Sequence, residues 1–143
     1  MEKVDYTDTF IAVAPDCPAE AGTAPPTTAR PSVAALSHGL LDGHAYELTS
    51  ADVLFTVHAE RSGVGDDERA AARAAFFGRS QACLRASPLG KRYGWGLHAD
   101  GEGRLALVGR ETPEYAEFAA GRVPGTGAPV TVVAAMRSAR PRA

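Results

Sequence analysis

The hydrophobic pattern of the first half of the chain alternates between β-prone runs, Pro/Gly stretches and apolar positions at helical spacing. A β-prone run predicts a strand at 9–13, and four prolines within residues 18–31 predict an extended loop. Apolar residues three and four positions apart, between capping residues and glycines, predict helices. These cover residues 33–41, 53–61, 66–77 and 112–121. The second predicted helix begins at Thr49–Asp52, where the Ser50 hydroxyl is a candidate cap. Because residues 53–61 include β-branched side chains, a strand is the alternative for this segment.

After Gln81 the pattern changes to period two, which is typical of strands. Ser87–Gly90 predicts a turn, and Asp100–Gly103 predicts a hairpin turn that pairs Ala99 with Arg104. The apolar run 130–136 predicts a central strand that is covered on both faces. The other predicted strands cover residues 83–86, 93–99 and 104–110.

Helices followed by strands predict an α+β fold, in which helices cover a small, mainly antiparallel sheet. The 143 residues, of which 45% are hydrophobic and 22% charged, are typical of a single globular domain. That domain spans residues 1–143, with a Pro/Ala-rich loop at 18–31 and a frayed basic tail at 137–143.

Composition excludes several classes of protein. The longest apolar runs are too short to cross a membrane, and the first residues show no export signal. Two cysteines without a secretory context predict reduced thiols and a cytoplasmic location. A net charge of −2 argues against nucleic acid as a partner, although Tyr93 and Trp95, beside basic residues, have the chemistry to stack on bases.

The charges are unevenly distributed along the chain. Residues 1–60 carry nine acidic and two basic residues, whereas residues 61–143 carry eight acidic and thirteen basic residues. Arginine accounts for thirteen of the fifteen bases, and its planar group binds carboxylate or phosphate in a fork. The basic half therefore favours an anionic ligand. A GC-rich coding bias, or attraction between the two halves, is the alternative explanation.

Several segments together carry a family resemblance. They resemble an uncharacterised family of bacteria and fungi, domain of unknown function 6157. The likeness extends from Tyr6 to Ser138, and no activity is established for that family, so it marks positions without implying chemistry. The segments are Asp5–Ile11, Asp16–Pro18, Leu48–Phe55, Cys83–His98 and Met136–Ser138.

Within the predicted strand 93–99, alternation places Gly94, Gly96 and His98 on one face. Two glycines on a strand face leave room for a close neighbour. That neighbour is either a helix or side chain that packs on the sheet, or a ligand with His98 at its rim. A register slip of one residue would exchange the faces.

The same segment supplies candidates for binding an anion. Arg85, Lys91 and Arg92 lie close in sequence, and adjacent cations repel one another unless an anion lies between them. Trp95 is a further candidate contact for the substrate. The alternative is that the bases point to solvent or pair with acidic residues, for which the candidates are Glu47, Asp52 and Glu60.

Three side chains are candidates for catalysis, namely His98 as the proton carrier with Tyr93 or Cys83 assisting. A catalytic thiol needs a neighbouring base, and Arg85 lies two residues from Cys83. Both Cys83 and Cys17 could instead be small buried core residues. The four histidines lack metal-ligand spacing, and no phosphate loop or Gly-x-Ser-x-Gly motif is present, so we expect neither metal nor cofactor.

The sequence supports two functions from different classes. The first is a small cofactor-independent enzyme that acts on an anionic metabolite by acid–base chemistry, as an isomerase, cyclase or lyase. The second is a non-catalytic module that binds a small molecule or a partner protein through segment 83–98. A concave pocket that contains His98 with Arg85 or Arg92 would favour the enzyme.

Overall fold

The computed structural model describes residues 2–139, which form one compact α+β domain with five helices and a four-stranded sheet, and this confirms the predicted fold class. The helices are α1 (Val33–Leu41), α2 (Ser50–Ser62), α3 (Arg69–Phe77), α4 (Pro88–Arg92) and α5 (Pro113–Ala119). The strands are β1 (Thr9–Ala12), β2 (Trp95–Ala99), β3 (Leu105–Gly109) and β4 (Thr131–Ala134). Short 3-10 turns at Asp66–Glu68 and Leu84–Ala86 lead towards α3 and α4.

Four of the five helices begin at hydroxyl side chains that accept hydrogen bonds from the first turn. Ser32 accepts from the Ala35 amide at the start of α1, and Thr112 does the same for α5. For α2 the expected cap at Ser50 is wrong by one residue. Thr49 is the cap, and it forms a capping box with Asp52. The helix interpretation of 53–61 is confirmed over its strand alternative.

The sheet is mixed, with the strand order β3-β2-β1-β4. Strand β2 is antiparallel to both β1 and β3, whereas β4 runs parallel to β1. The prediction of a central, doubly covered strand at 130–136 is wrong, because β4 forms an edge of the sheet. Within its apolar run Val130 is 8% and Ala135 2% exposed, whereas Val132 is 40% and Met136 51% exposed.

The hairpin between β2 and β3 forms where the turn chemistry predicts it, but its register differs by one residue. Ala99 pairs with Leu105, and the Asp100 amide donates to the Arg104 carbonyl. Gly103 has a left-handed backbone with φ of +82°, which suits a three-residue hairpin loop rather than the expected four-residue one. The residues opposite His98 and Gly96 are therefore Ala106 and Val108.

The segment between α3 and β2 also differs from the prediction. The expected strand at 83–86 is a 3-10 turn, and the expected turn at 87–90 is the start of helix α4. The Ser87 hydroxyl accepts from the Leu89 amide and Pro88 occupies the first helical position, which is a helix-start arrangement. This helix places Lys91 and Arg92 in its last turn.

The two faces of the sheet bury separate clusters. Leu97 and Ile11 lie in the larger cluster, with helices α1, α2 and α4 above them. Phe10 lies on the opposite face, stacked on Phe118 of α5 with ring centroids 5.0 Å apart. Because successive residues of a strand alternate between faces, this division decides which candidate residues can meet.

The remaining segments connect these elements. Residues 18–31 contain no helix or strand. The amides of Ser138 and Ala139 donate to the Asp16 carboxylate, so the chain is held there; the predicted frayed tail beyond this point, residues 140–143, lies outside the described residues. Within residues 2–139 no helix has the length and apolar character needed to cross a membrane.

Candidate functional site

A cleft of about 370 Å³ lies where the start of α1, the end of α2 and helix α4 meet. We call it the basic cleft, because its charged side chains are Arg61, Lys91 and Arg92. Tyr93 lines it beside these bases. Three residues predicted from the sequence, Lys91, Arg92 and Tyr93, therefore line the same cleft. Arg61, which is distant in sequence, lines it with them.

The carboxylates considered as partners for these bases are engaged elsewhere. Across residues 2–139, neither Lys91 nor Arg92 nor Arg61 forms an ion pair, and no carboxylate or histidine lines the basic cleft. The three candidate partners pair with other bases: Asp52–Arg73 at 3.1 Å, Glu60–Arg69 at 2.9 Å and Glu47–His44 at 3.3 Å.

Helix α1 adds to the positive character of the basic cleft. Its first residues, Val33 and Ala34, line the cleft together with the capping residue Ser32. The Ser32 hydroxyl accepts from the Ala35 amide, but the first turn contains no acidic residue whose charge would offset the partial positive charge of the helix start. Free backbone amides at such a position can donate to an anion.

A second cavity of about 170 Å³ adjoins the basic cleft, since Val33, Ala86 and Pro88 form walls of both. We call it the apolar pocket, because most of its lining is hydrocarbon. It lies between α1, α2 and the 3-10 turn at 84–86. Its remaining walls are Ser37, Leu54, Val57, Ala82, Cys83, Leu84 and Ser87.

Cys83 lies at the wall of the apolar pocket in contact with a tyrosine. Its Sγ atom is 3.1 Å from the Tyr6 hydroxyl, and Cys83 is a free, half-buried thiol. Burial and the hydrogen bond to Cys83 raise the pKa of Tyr6 to about 12, against a smaller opposite effect of Arg85. The phenol is therefore protonated at neutral pH. Cys17, the other cysteine, is buried in the core beside the sheet.

The structure places His98 away from the basic cleft. Its strand neighbours Leu97 and Ala99 face the cluster under α1 and α2, so His98 projects to the opposite face, where its ring lies 4.4 Å from that of Phe118. Nδ1 is hydrogen-bonded to the Tyr46 hydroxyl at 2.8 Å. Burial lowers the pKa of His98, while the carboxylates of Asp100 and Asp8 act in the opposite direction.

The glycine face of β2 is occupied by side chains. A Cβ atom at Gly96 would lie 2.5 Å from Phe10 Cζ and 3.0 Å from Tyr115 Cε2. Gly94 precedes the strand with a φ of +75°, and the carbonyl of Ala21 lies against it. Of the two interpretations of this face, packing is the one that the structure shows.

Trp95 lies on the other side of β2 and helps to hold the loop at 18–31. Its indole N–H donates to the Thr23 carbonyl at 2.9 Å, and its ring packs against Gly22. The ring centroid is 5.4 Å from that of His38 in α1. Trp95 does not line the basic cleft or the apolar pocket.

Residues 1–141 match the model of a family of unknown function, DUF6157. The chain belongs to this family. No curated protein and no solved structure matches it. Membership in this family of unknown function therefore assigns no chemistry to the site.

In this DUF6157 chain, Arg85 forms two hydrogen bonds at the edge of the sheet. Its Nε donates to the Ala134 carbonyl at 2.7 Å, and its own carbonyl accepts from the Met136 amide at 2.8 Å. One bond is at the last residue of β4 and the other two residues after it, and among residues 2–139 no further strand pairs with β4 on this side. Arg85 is thus separate from Lys91 and Arg92, and its guanidinium already has a partner.

Replacing Arg85 by Ala is expected to lower the free energy of unfolding by about 1 kcal/mol, the usual net contribution of one hydrogen bond. The Ala134 carbonyl loses its donor but can be hydrated at the sheet edge. Urea unfolding measures the change, and Arg85→Lys should restore only part of it. An anion affinity that falls while stability is unchanged would contradict the structural role of Arg85.

Sequence reasoning missed Arg61, Tyr6 and Tyr46. Tyr6 is separated from Cys83 by 77 residues, and Tyr46 from His98 by 52. No local sequence pattern indicates a contact between residues so far apart in the chain. Tyr46 has a left-handed backbone with φ of +60°, which is uncommon for a residue other than glycine, but this strain is visible only in the fold.

Within residues 2–139, no group of three or more His, Cys, Asp or Glu side chains could hold a metal ion.

Proposed function

We propose that the protein binds a small organic anion in the basic cleft. The observation that carries the proposal is the set of three bases, Arg61, Lys91 and Arg92, which line one cleft without a carboxylate. Like charges brought together in this way repel one another, and a bound anion would remove that cost. Arginine forks and the free amides at the start of α1 would hold a carboxylate or phosphate.

The anion is also the compound on which we propose that acid–base chemistry acts. Cys83 is the group placed to exchange a proton, because it lines the apolar pocket next to the cleft. The Tyr6 hydroxyl lies 3.1 Å from the sulfur, and its pKa of about 12 keeps it protonated at neutral pH. Isomerisation, cyclisation or elimination needs only such a positioned pair. Two free thiols suit a reducing, cytoplasmic setting.

A non-catalytic binding module is the second candidate. The observation that favours it is the lining of the basic cleft, in which the titratable groups are bases and Tyr93, with neither histidine nor carboxylate. Incubation with a metabolite extract separates the two candidates. An enzyme depletes one anion, and Cys83→Ala abolishes the depletion, whereas a module binds an anion and releases it unchanged.

Titration with inorganic phosphate tests the binding proposal, with backbone amide chemical shifts as the readout. We expect the largest shifts at Val33, Ala34 and Lys91–Tyr93, with saturation at one dissociation constant. A parallel titration with sodium chloride at equal ionic strength controls for general screening. Phosphate shifts that occur only outside these residues would contradict the basic cleft as the binding site.

A further inference from the structure

The apolar pocket extends the basic cleft in one direction and has a different chemistry. Val33, Ala86 and Pro88 are walls of both cavities, so the two cavities adjoin at these side chains. Leu54 and Val57 from α2 form the far wall. The charged groups are therefore at one end of the combined cavity and hydrocarbon is at the other.

We propose that the anion carries a short apolar tail, which occupies the apolar pocket and ends against the Cys83 sulfur. This inference rests on the proposed function and specifies its class of ligand. The pocket of about 170 Å³ holds about five to six non-hydrogen atoms, if each takes the roughly 30 Å³ of a water molecule in the liquid. The ligand is thus a short-chain carboxylate or phosphate ester.

The polar groups of the pocket are consistent with a hydrocarbon occupant. The Ser87 hydroxyl already accepts from the Leu89 amide, and the Cys83 thiol is engaged with Tyr6. Ser37 is 2% exposed, so it offers little polar surface. Bases line the other end alone, and this asymmetry favours an anion with an apolar tail over an anion with charges at both ends.

Linear alkyl carboxylates from acetate to decanoate, with the matching alkyl phosphates, test the inference by amide chemical shifts. Affinity is expected to rise about fourfold per methylene, the value of one buried methylene group, and to level off at about six carbons. Acetate should shift the amides of the basic cleft alone, and longer chains should also shift Cys83 and Leu84. The two head-group series show whether carboxylate or phosphate is preferred.

Variants with larger side chains in the apolar pocket test whether the ligand's tail occupies it. Ala82 lies on the wall of the apolar pocket but not of the basic cleft, and it is exposed enough to accept a larger side chain. Ala82→Leu, with the larger Ala82→Phe as a second variant, should abolish the chain-length effect while acetate binds as before. Ala74→Leu on the exposed surface of α3 is the control and should change neither.

The outcomes separate this inference from the function on which it rests. If acetate and hexanoate bind wild-type protein equally well at the basic cleft, the inference of an apolar tail is wrong, whereas the proposed anion binding is supported. If neither carboxylates nor phosphates bind, the proposed function itself fails. A chain-length effect that persists unchanged in both pocket-filling variants also overturns the assignment to this pocket.

Discussion

Phe10→Ala is expected to lower the free energy of unfolding by about 3–5 kcal/mol, which is typical of removing a fully buried aromatic ring. Phe10 is 0% exposed, and its ring stacks on Phe118 and meets the edge of Tyr115 at 5.2 Å between centroids. It also fills the space above Gly96. One side chain thus joins β1, β2 and α5, and its loss leaves a cavity that these elements cannot close.

Urea unfolding, followed by circular dichroism, measures this effect. Phe77→Ala is the matched control, because Phe77 is only half-buried on α3 and should cost much less. A loss below about 1 kcal/mol for Phe10→Ala would show that the glycine face of β2 is not packed as described, since even a single buried methyl group approaches that value. The face would then again be a candidate ligand floor.

His98→Asn is expected to lower the free energy of unfolding by about 1–3 kcal/mol, the cost of disrupting a buried hydrogen bond. His98 is 5% exposed, and its Nδ1 is bound to Tyr46. The variant should leave phosphate affinity at the basic cleft unchanged, because His98 projects from the opposite face of the sheet. Reduced phosphate affinity at unchanged stability would instead restore the predicted catalytic role of His98.

The pH dependence of stability gives a second readout for His98. Burial lowers its pKa in the folded state from the ordinary value of 6.5, so the unfolded state binds the proton more tightly. Stability contributed by the neutral ring is fully present above pH 6.5 and is lost as the pH falls through the folded-state pKa. Wild type should therefore lose more stability below this pH than His98→Asn. Equal slopes for the two proteins would contradict a buried neutral His98.

Much of the fold follows from local chemistry. Ser32 and Thr112 mark helix starts, and the glycines beyond α1 and α2 mark their ends, so these helices were predicted nearly to the residue. The hairpin turn was also placed correctly. Its register was not, because one left-handed glycine, Gly103, changes the loop length. A difference of one residue in a turn is too small for the strand pattern to indicate.

The errors have a common physical cause. In β4, an apolar run could belong to a central strand or to an edge strand in which only some residues are buried, and composition does not separate them. In residues 83–90, a four-residue alternation was given more weight than the Ser87-Pro88 helix start. The same hydroxyl–proline signal was interpreted correctly at Thr112-Pro113. Short periodicity is weaker evidence than a cap followed by proline.

The candidate site was only partly predictable for the same reason. Lys91 and Arg92 are predicted as anion-binding residues because they are neighbours in sequence, and Tyr93 as an assisting catalytic residue. Helix α4 and its C-terminal cap place all three along one cleft. Arg61 comes from α2, and Tyr6 from the segment before β1, so only the tertiary fold brings them to Lys91 and Cys83. Phosphate binding at this cleft remains a prediction that depends on these long-range contacts.

The most direct test of the account compares the affinity for inorganic phosphate of wild type, Lys91→Ala/Arg92→Ala and Arg122→Ala. Arg122 is an exposed base that lines neither cavity, so its replacement controls for the loss of one positive charge elsewhere on the surface. The double variant should bind at least about tenfold more weakly, since each charged hydrogen bond contributes about 1.5–3 kcal/mol, and Arg122→Ala should bind as wild type. Equal phosphate affinity in all three proteins would contradict an anion site in the basic cleft.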